Sequence, residues 1–252
     1  MTNHSLMKLG KLPPVFPAHV PTLAKVLAYA PLPTPPDVVD WTKNIAWPML
    51  ANDTVGDCAF AGPLHAIQAS QRWRDGVATQ PTDEQALAAY SAVTGFNPQD
   101  PATDSGAVLA DVMAWWRATG FQTPSGTNQI QAYARLENLD HLKAALWLFG
   151  PLIVGAALPV AAQTQPVWAS PANLAGNNAP GSWGGHCMVL GGIDATGAGR
   201  LVTWGDIKLA TAGWLKAYLD EVWIPVQPEW VMSGMTPCGE LASAIVGEIG
   251  EL

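Results

Sequence analysis

The sequence predicts an α+β protein of two lobes, helical in its first half and β-rich in its second. Three observations carry this reading. Apolar residues recur at helical spacing in four stretches, 58–74, 83–93, 107–119 and 135–149. After Gly150-Pro151 the pattern changes to short apolar runs at 152–158, 187–193, 201–204 and 222–226, which read as strands. And 49% of the residues are apolar against 13% charged, so the chain carries a core and lacks the composition of a disordered segment.

Taken in order, residues 1–36 hold eight prolines and read as an extended arm with a short helix at 22–29. Such an arm needs something to lie on, either its own body or a neighbouring subunit. A β-like run, Val38-Val39-Asp40-Trp41, opens the body. The turn formers Asn52-Asp53-Thr54-Val55-Gly56-Asp57 then lead into a helix beginning at Cys58. Phe60, Leu64, Ile67 and Trp73 set that helix's period, and Ala59, Ala61 and Gly62 suit tight packing. Pro63 falls in the early turns, where a missing N–H costs least. Thr82 and Gln85 form a capping box for helix 83–93. A turn-rich loop, 95–106, precedes helix 107–119, which Gly120 ends. Leu136, Leu139, Leu142, Leu146 and Phe149 form one stripe of helix 135–149. The expected organisation is a 1–36 arm, a helical lobe over about 37–134, a β-rich lobe over 135–226, and a 227–252 tail. Trp41, Trp115, Trp116 and Trp147, four of 12 tryptophans, belong to core or cleft wall.

Composition excludes several functions. The net charge is −8 and the 12 basic residues are scattered, which argues against nucleic-acid binding. The apolar stretch 144–162 is interrupted by Gly150, Pro151, Gly155 and Pro159, so no membrane span is expected. No secretory signal opens the chain, and a cytoplasmic location is the expectation. Cys58, Cys187 and Cys238 are too few for a disulfide framework and have no zinc-ligand spacing. No metal or cofactor is expected.

Two places could carry chemistry. Cys58 sits where a loop becomes a helix, and a helix N-terminus favours thiolate and offers N–H groups to an oxyanion. Asn52, six residues earlier, could donate a second hydrogen bond there. The other reading makes Cys58 a small buried hydrophobe and Asn52 a turn residue. The second place is Gly184-Gly185-His186, where a histidine enters an apolar strand behind two glycines. A neutral imidazole can take a thiol proton and return it to a leaving amine, and Gly185 lets a substrate backbone approach. The other reading is a core histidine.

Together these segments resemble the papain-like cysteine peptidases, in which a single Cys precedes its His by about 130 residues. Val39-Asp40-Trp41, the Asn52–Cys58 spacing, Asp104-Ser105-Gly106 with its following helix, Gly150-Pro151 with its strand, His186, and Thr203-Trp204-Gly205 stand in the family's order across about 37–226. The resemblance implies a two-lobed fold with Cys58 on a central helix as nucleophile and His186 as base. It implies that Asn52 replaces the usual oxyanion Gln, and that Ser105 and Gly106 line the substrate cleft. The His-orienting Asn is absent: Thr203, the Val202 position and Asp206 are the alternatives, Thr203 foremost. Residues 1–36 are shorter than the family's usual inhibitory segment.

The implied function is hydrolysis of amide bonds in a peptide or protein substrate through a thioester on Cys58. A transamidase or deamidase uses the same residues. The alternative is a papain-like structural or assembly protein, such as a phage virion component, with arm or tail in oligomer contacts. A Cys58 sulfur within hydrogen-bond reach of a His186 ring nitrogen in an open cleft would favour the enzyme, and a plugged cleft or a large separation the structural role. The remaining candidates are read as bland: His65 as structural, His141 as exposed, His4 and His19 as parts of the arm, and Cys238 as a free thiol. Asp220-Glu221 is read as a solvated helix end. Cys187 should point away from the site, since side chains alternate along a strand.

Overall fold

A computed structural model describes residues 4–26 and 33–239. Its elements in chain order are α1 (Leu23–Val26), β1 (Val39–Asp40), α2 (Cys58–Asp75), α3 (Asp83–Thr94), α4 (Leu109–Ala118), β2 (Phe121–Thr123), β3 (Gly126–Asn128), β4 (Ala132–Arg135), α5 (Leu142–Phe149), β5 (Leu152–Leu158), β6 (Gly184–Ile193), β7 (Gly199–Thr203), β8 (Asp206–Ala210), α6 (Ala212–Tyr218), β9 (Leu219–Val226) and α7 (Pro228–Ser233). The architecture is α+β with two lobes, as expected.

The central element is α2. Every residue from Cys58 to Gln71 is buried, and the helix runs through Pro63 to a left-handed Gly76 at φ 71°. Its small residues let it lie on β6: a Cβ at Gly62 would stand 3.0 Å from Cys187 Sγ. Its buried polar residues hold the incoming loop. His65 Nε2 lies 2.9 Å from the Pro48 carbonyl, and Gln68 Nε2 donates to the Ala46 carbonyl at 2.9 Å. Thr82 caps α3 through the capping box with Gln85.

The antiparallel sheet runs β4-β9-β5-β6-β7-β8, and β1 joins it along β6. Its alternation makes two cores. Ile153, Cys187, Val189, Val202 and Trp223 face α2, α3 and α4. Leu152, Val154, Met188, Leu190 and Ile224 face the core built with α5 and α6.

Four expectations are corrected. The helix expected over 135–149 is β4, a 3₁₀ turn at Leu139–His141 and then α5. Arg135 pairs with Trp223 on β9, and Asn138 accepts from the Asp140 N–H, so the helix begins only beyond that cap. The helix expected from 107 starts at Leu109, because the Ala107 carbonyl, which a helix would bond to the Asp111 N–H, accepts the Leu12 N–H instead. The tail contains α7 before Gly234. Asp220-Glu221 lies in β9 with Glu221 buried, where a solvated helix end was expected. Residues 27–29 of the expected first helix and 240–252 of the tail lie outside the described residues. Among the described residues no helix is long and apolar enough to cross a membrane, and no group of His, Cys, Asp and Glu could hold a metal ion.

Candidate active site

Cys58 opens α2 with its thiol wholly buried. Its sulfur accepts the Cys187 N–H at 3.4 Å, and the Gly10 backbone bonds it as well. β6 therefore meets the sulfur at the residue directly after His186. Cys187 itself turns its side chain to Gly62 of α2, away from His186. Burial pushes the Cys58 thiol up to about 12, against the lowering effect of the Cys187 N–H.

His186 is fully buried. Its Nε2 lies 2.6 Å from Thr203 Oγ1, and its ring stacks on Trp204 at 4.3 Å and 19°. Thr203 ends β7, and Trp204-Gly205 is the two-residue turn into β8, with φ 48° and 71° and Thr203 paired to Asp206. Both φ are positive, as a tight hairpin turn of primed type requires. The turn thus places the hydroxyl and the indole on two sides of one imidazole. In the tautomer that donates from Nε2 to Thr203, Nδ1 keeps its lone pair. Nδ1 is buried with no hydrogen-bond partner. Burial pushes the imidazole down to about 3, so thiol and base are both neutral here. Of the three positions considered beside His186, the hydroxyl of Thr203 is the one that reaches it. Val202 packs in the helical-lobe core, and Asp206 is exposed at the start of β8.

Asn52 is buried on the loop before Cys58, after Leu50 and Ala51, both at positive φ. Its Nδ2 donates to the Val55 carbonyl at 3.2 Å and to Asp57 Oδ1 at 3.1 Å. Both amide hydrogens are thus committed to the loop. Burial raises the Asp57 carboxyl well above its usual range, against the lowering effect of the Asn52 hydrogen bond. Gly106 forms one wall. Its N–H donates to the Tyr90 hydroxyl, which donates to Asp104 Oδ1, and the same carboxylate accepts the Gly56 N–H. Ser105 is exposed beside it. The sequence patterns contained no sign of the Tyr90–Asp104 link.

The cleft is filled by the chain's own arm. His4 also stacks on Trp204, at 5.1 Å, and the Trp204 indole N–H reaches the Lys8 carbonyl. Gly10 passes the sulfur. The Lys11 N–H donates to the Gly185 carbonyl at 3.2 Å, and the Leu12 N–H to the Ala107 carbonyl at 2.9 Å. Lys11 bridges Ala107 in parallel sense. The fit depends on glycine: a Cβ at Gly10 would lie 1.7 Å from the Gly56 carbonyl oxygen, and one at Gly185 would lie 2.2 Å from the Lys11 carbonyl oxygen.

A cysteine at the head of a central helix, its sulfur held by the backbone of the strand that carries the histidine, accords with the papain-like two-lobed fold. Comparison with solved structures agrees. The chain is similar to xylellain, a cysteine protease from Xylella fastidiosa, at TM-score 0.65 and 18% identity over 87% of this chain and 96% of that one. It is similar to procathepsin L 3 of Tenebrio molitor at 0.59 and 12%, over 89% and 77%, and to procathepsin B of Trypanosoma congolense at 0.57 and 11%, over 90% and 88%. At these identities the likeness is one of fold. No family model and no curated protein matches the sequence.

Proposed function

We propose that the chain is a cysteine-dependent amide hydrolase, a peptidase or amidase, held latent by residues 4–12 of its own arm. The observation that carries this is the His186 ring, tied at Nε2 to Thr203 and unpartnered at Nδ1, next to the residue whose N–H bonds the Cys58 sulfur. In the reaction, Nδ1 takes the Cys58 proton as the sulfur bonds the substrate's acyl carbon. The C–N bond then breaks, and the amine leaves with that proton. Water attacks the thioester, its proton passing through His186 back to the departing sulfur, and the acid is released. The Cys58 N–H, at the helix start, donates to the oxyanion. Asn52 is the second donor, and one of its two present bonds must open to free it. Thr203 is the orienter of the base, and Gly185 and Ala107 hold the substrate backbone where they now bond the arm, with Gly106 packed against it.

Two of the similar structures are, by name, precursor forms, which accords with an occupied cleft. One observation favours a second reading, a non-catalytic structural or assembly protein such as a virion component: the cleft is plugged, the mark set for that role. The plug is held by non-covalent contacts alone: a few backbone hydrogen bonds, the His4–Trp204 stack, the Trp204 indole bond to Lys8, and the ion pairs of Lys11 with Asp220 and Glu221, so it is removable. The decisive experiment uses the full chain carrying Gly10→Val, whose side chain cannot fit against Gly56. Hydrolysis of a mixed fluorogenic peptide pool is expected, and should vanish in added Cys58→Ala or His186→Ala. If the displaced-arm chain has no turnover, the structural reading stands instead.

A further inference from the structure

Cys187 is a buried thiol that the proposed reaction does not use. Its backbone N–H bonds the Cys58 sulfur at 3.4 Å, and three covalent bonds separate that nitrogen from its own sulfur. The Cys187 side chain faces α2 and fills the place of an absent one: a Cβ at Gly62 would stand 3.0 Å from Cys187 Sγ. Gly62 lies one turn beyond Cys58 on the same face of α2, and Cβ bonds on a helix tilt toward its N-terminus. The Cys187 sulfur therefore lies over the strip of α2 that Cys58 heads. Both side chains belong to the core between the sheet and the helical lobe, and negative charge on Cys58 acts on Cys187 across it. Cys238 packs against the core on the opposite face of the sheet, which separates it from this pair.

The structure assigns Cys187 as the resolving thiol of Cys58: when a hydroperoxide oxidises Cys58 with the arm displaced, the two cysteines close a disulfide across the contact of α2 with β6. In the first step the Cys58 thiolate attacks the peroxide. An S–O bond forms, the O–O bond breaks, and the departing oxygen takes a proton as water or an alcohol, leaving a sulfenic acid. In the second step the Cys187 sulfur attacks the Cys58 sulfur. The S–S bond forms, the S–O bond breaks, and the hydroxyl leaves as water with the Cys187 proton. The two thiols together lose two electrons and two protons, and the hydroperoxide is reduced. Burial holds Cys187 in its thiol form, so the second step is the slower one. The bond takes the sulfur away from His186, and a thiol restores it. It also stops oxidation short of the sulfinic and sulfonic acids, which do not return by thiol exchange. The inference goes beyond the hydrolase reading and needs only the placement of the two cysteines.

The test uses the full chain, fully reduced, as wild type and as Gly10→Val. Each is treated with hydrogen peroxide, denatured in iodoacetamide, and mapped by peptide mass without reduction. A linked Cys58–Cys187 peptide pair should appear in both, later in the wild-type chain, whose Gly10 covers the sulfur. Cys238 should be recovered as the alkylated thiol, and dithiothreitol should return both linked cysteines. Cys187→Ser and Cys187→Ala should form no linked pair and should carry Cys58 on to the sulfinic and sulfonic acids, whereas Cys238→Ser should change nothing. Three results would overturn the assignment: Cys58 oxidised or unreacted in both chains while Cys187 stays alkylatable, a link from Cys58 to Cys238, or the same two-hydrogen loss at Cys58 in Cys187→Ser, which would place the bond on the residue-187 backbone nitrogen. A linked pair in a Gly10→Val chain without turnover upholds the assignment while the hydrolase reading falls. Turnover in a chain that forms no linked pair does the reverse.

Discussion

Alkylation of Cys58 offers a direct measure of the latent state. With the arm seated, the thiol is raised to about 12 by burial. At pH 7.5 a thiol of that pKa is roughly 3 × 10⁻⁵ ionised, whereas an unperturbed thiol near 8.5 is roughly one-tenth ionised, a ratio of about 3000. The thiolate is the reacting form, so Cys58 in the intact chain should react about three orders of magnitude slower than an unperturbed thiol, before the steric barrier of Gly10 is counted. Gly10→Val removes both the barrier and much of the burial. The helix start and His186 Nδ1 then act on a solvated sulfur, and the rate should rise at least about 1000-fold. The assay is iodoacetamide labelling followed by peptide mass mapping, with the partly exposed Cys238 as internal reference. Arm release is scored independently by tryptic cleavage after Lys11, which is buried when the arm is seated. Two results would refute the reasoning: Cys58 labelling within about tenfold of Cys238 in the intact chain, or an unchanged rate once Lys11 has become cleavable.

Three further outcomes are expected. Thr203→Val should leave His186 Nε2 unpaired, costing about 1–3 kcal/mol in urea unfolding and about 10- to 100-fold in turnover by the Gly10→Val chain, with Thr203→Ser restoring most of both; equal activity of Val and Ser would remove Thr203 from its positioning role. His65 is pushed down to about 4 by burial, below its unfolded value near 6.5, so its contribution is complete above pH 6.5 and is lost as pH falls toward 4. Between pH 7 and 4.5 that loss is roughly 2.5 kcal/mol. The buried carboxyls of Asp57 and Glu229 are raised by burial and work in the opposite sense, so the quantity to compare is the difference in unfolding free energy between the wild-type chain and His65→Gln at the two pH values; a difference that does not change with pH would contradict the assignment. Tyr90→Phe should cost about 1–3 kcal/mol by stranding the buried Gly106 N–H and removing one of the bonds to Asp104, and should speed Cys58 labelling by loosening the wall against which Gly10 lies; a fully retained melting temperature would count against the link.

The fold was legible because its signals are local and ordered. The helix-start cysteine, the glycine-led His186 strand and the Thr-Trp-Gly turn each sit in one short segment, and their sequence along the chain carries the architecture. The 135–149 stretch misled because the apolar period continues through Leu136 and Leu139, while the backbone is claimed by β9 and by the Asn138 cap. No period reports such long-range claims. Asp220-Glu221 was read as solvated for a similar reason. The cation that neutralises Glu221 lies 210 residues earlier in an arm without any motif. Asn52 was placed on the right loop, yet its two internal bonds depend on a backbone path set by left-handed Leu50 and Ala51, which propensity disfavours. The arm's route could not be read at all, since Gly10 is selected by a collision with Gly56 that exists only once both lobes are folded.

Three consecutive residues of β6 touch three different things. The Gly185 carbonyl takes the arm, the His186 side chain enters the cleft, and the Cys187 N–H holds the sulfur. Strand alternation makes this arrangement intolerant of length change. Sliding β6 by a single residue would bring a thiol to the place of the imidazole and turn the imidazole into α2. The exposed stretch 172–175 of the preceding connection carries no such constraint, whereas Trp168 and Trp183 on either side of it are bonded to the end of β8 and to β5. Natural variants of this chain should therefore gain and lose residues in that stretch and keep the count fixed from Trp183 to Cys187, so that a map of insertions across relatives would outline the site without any knowledge of its chemistry.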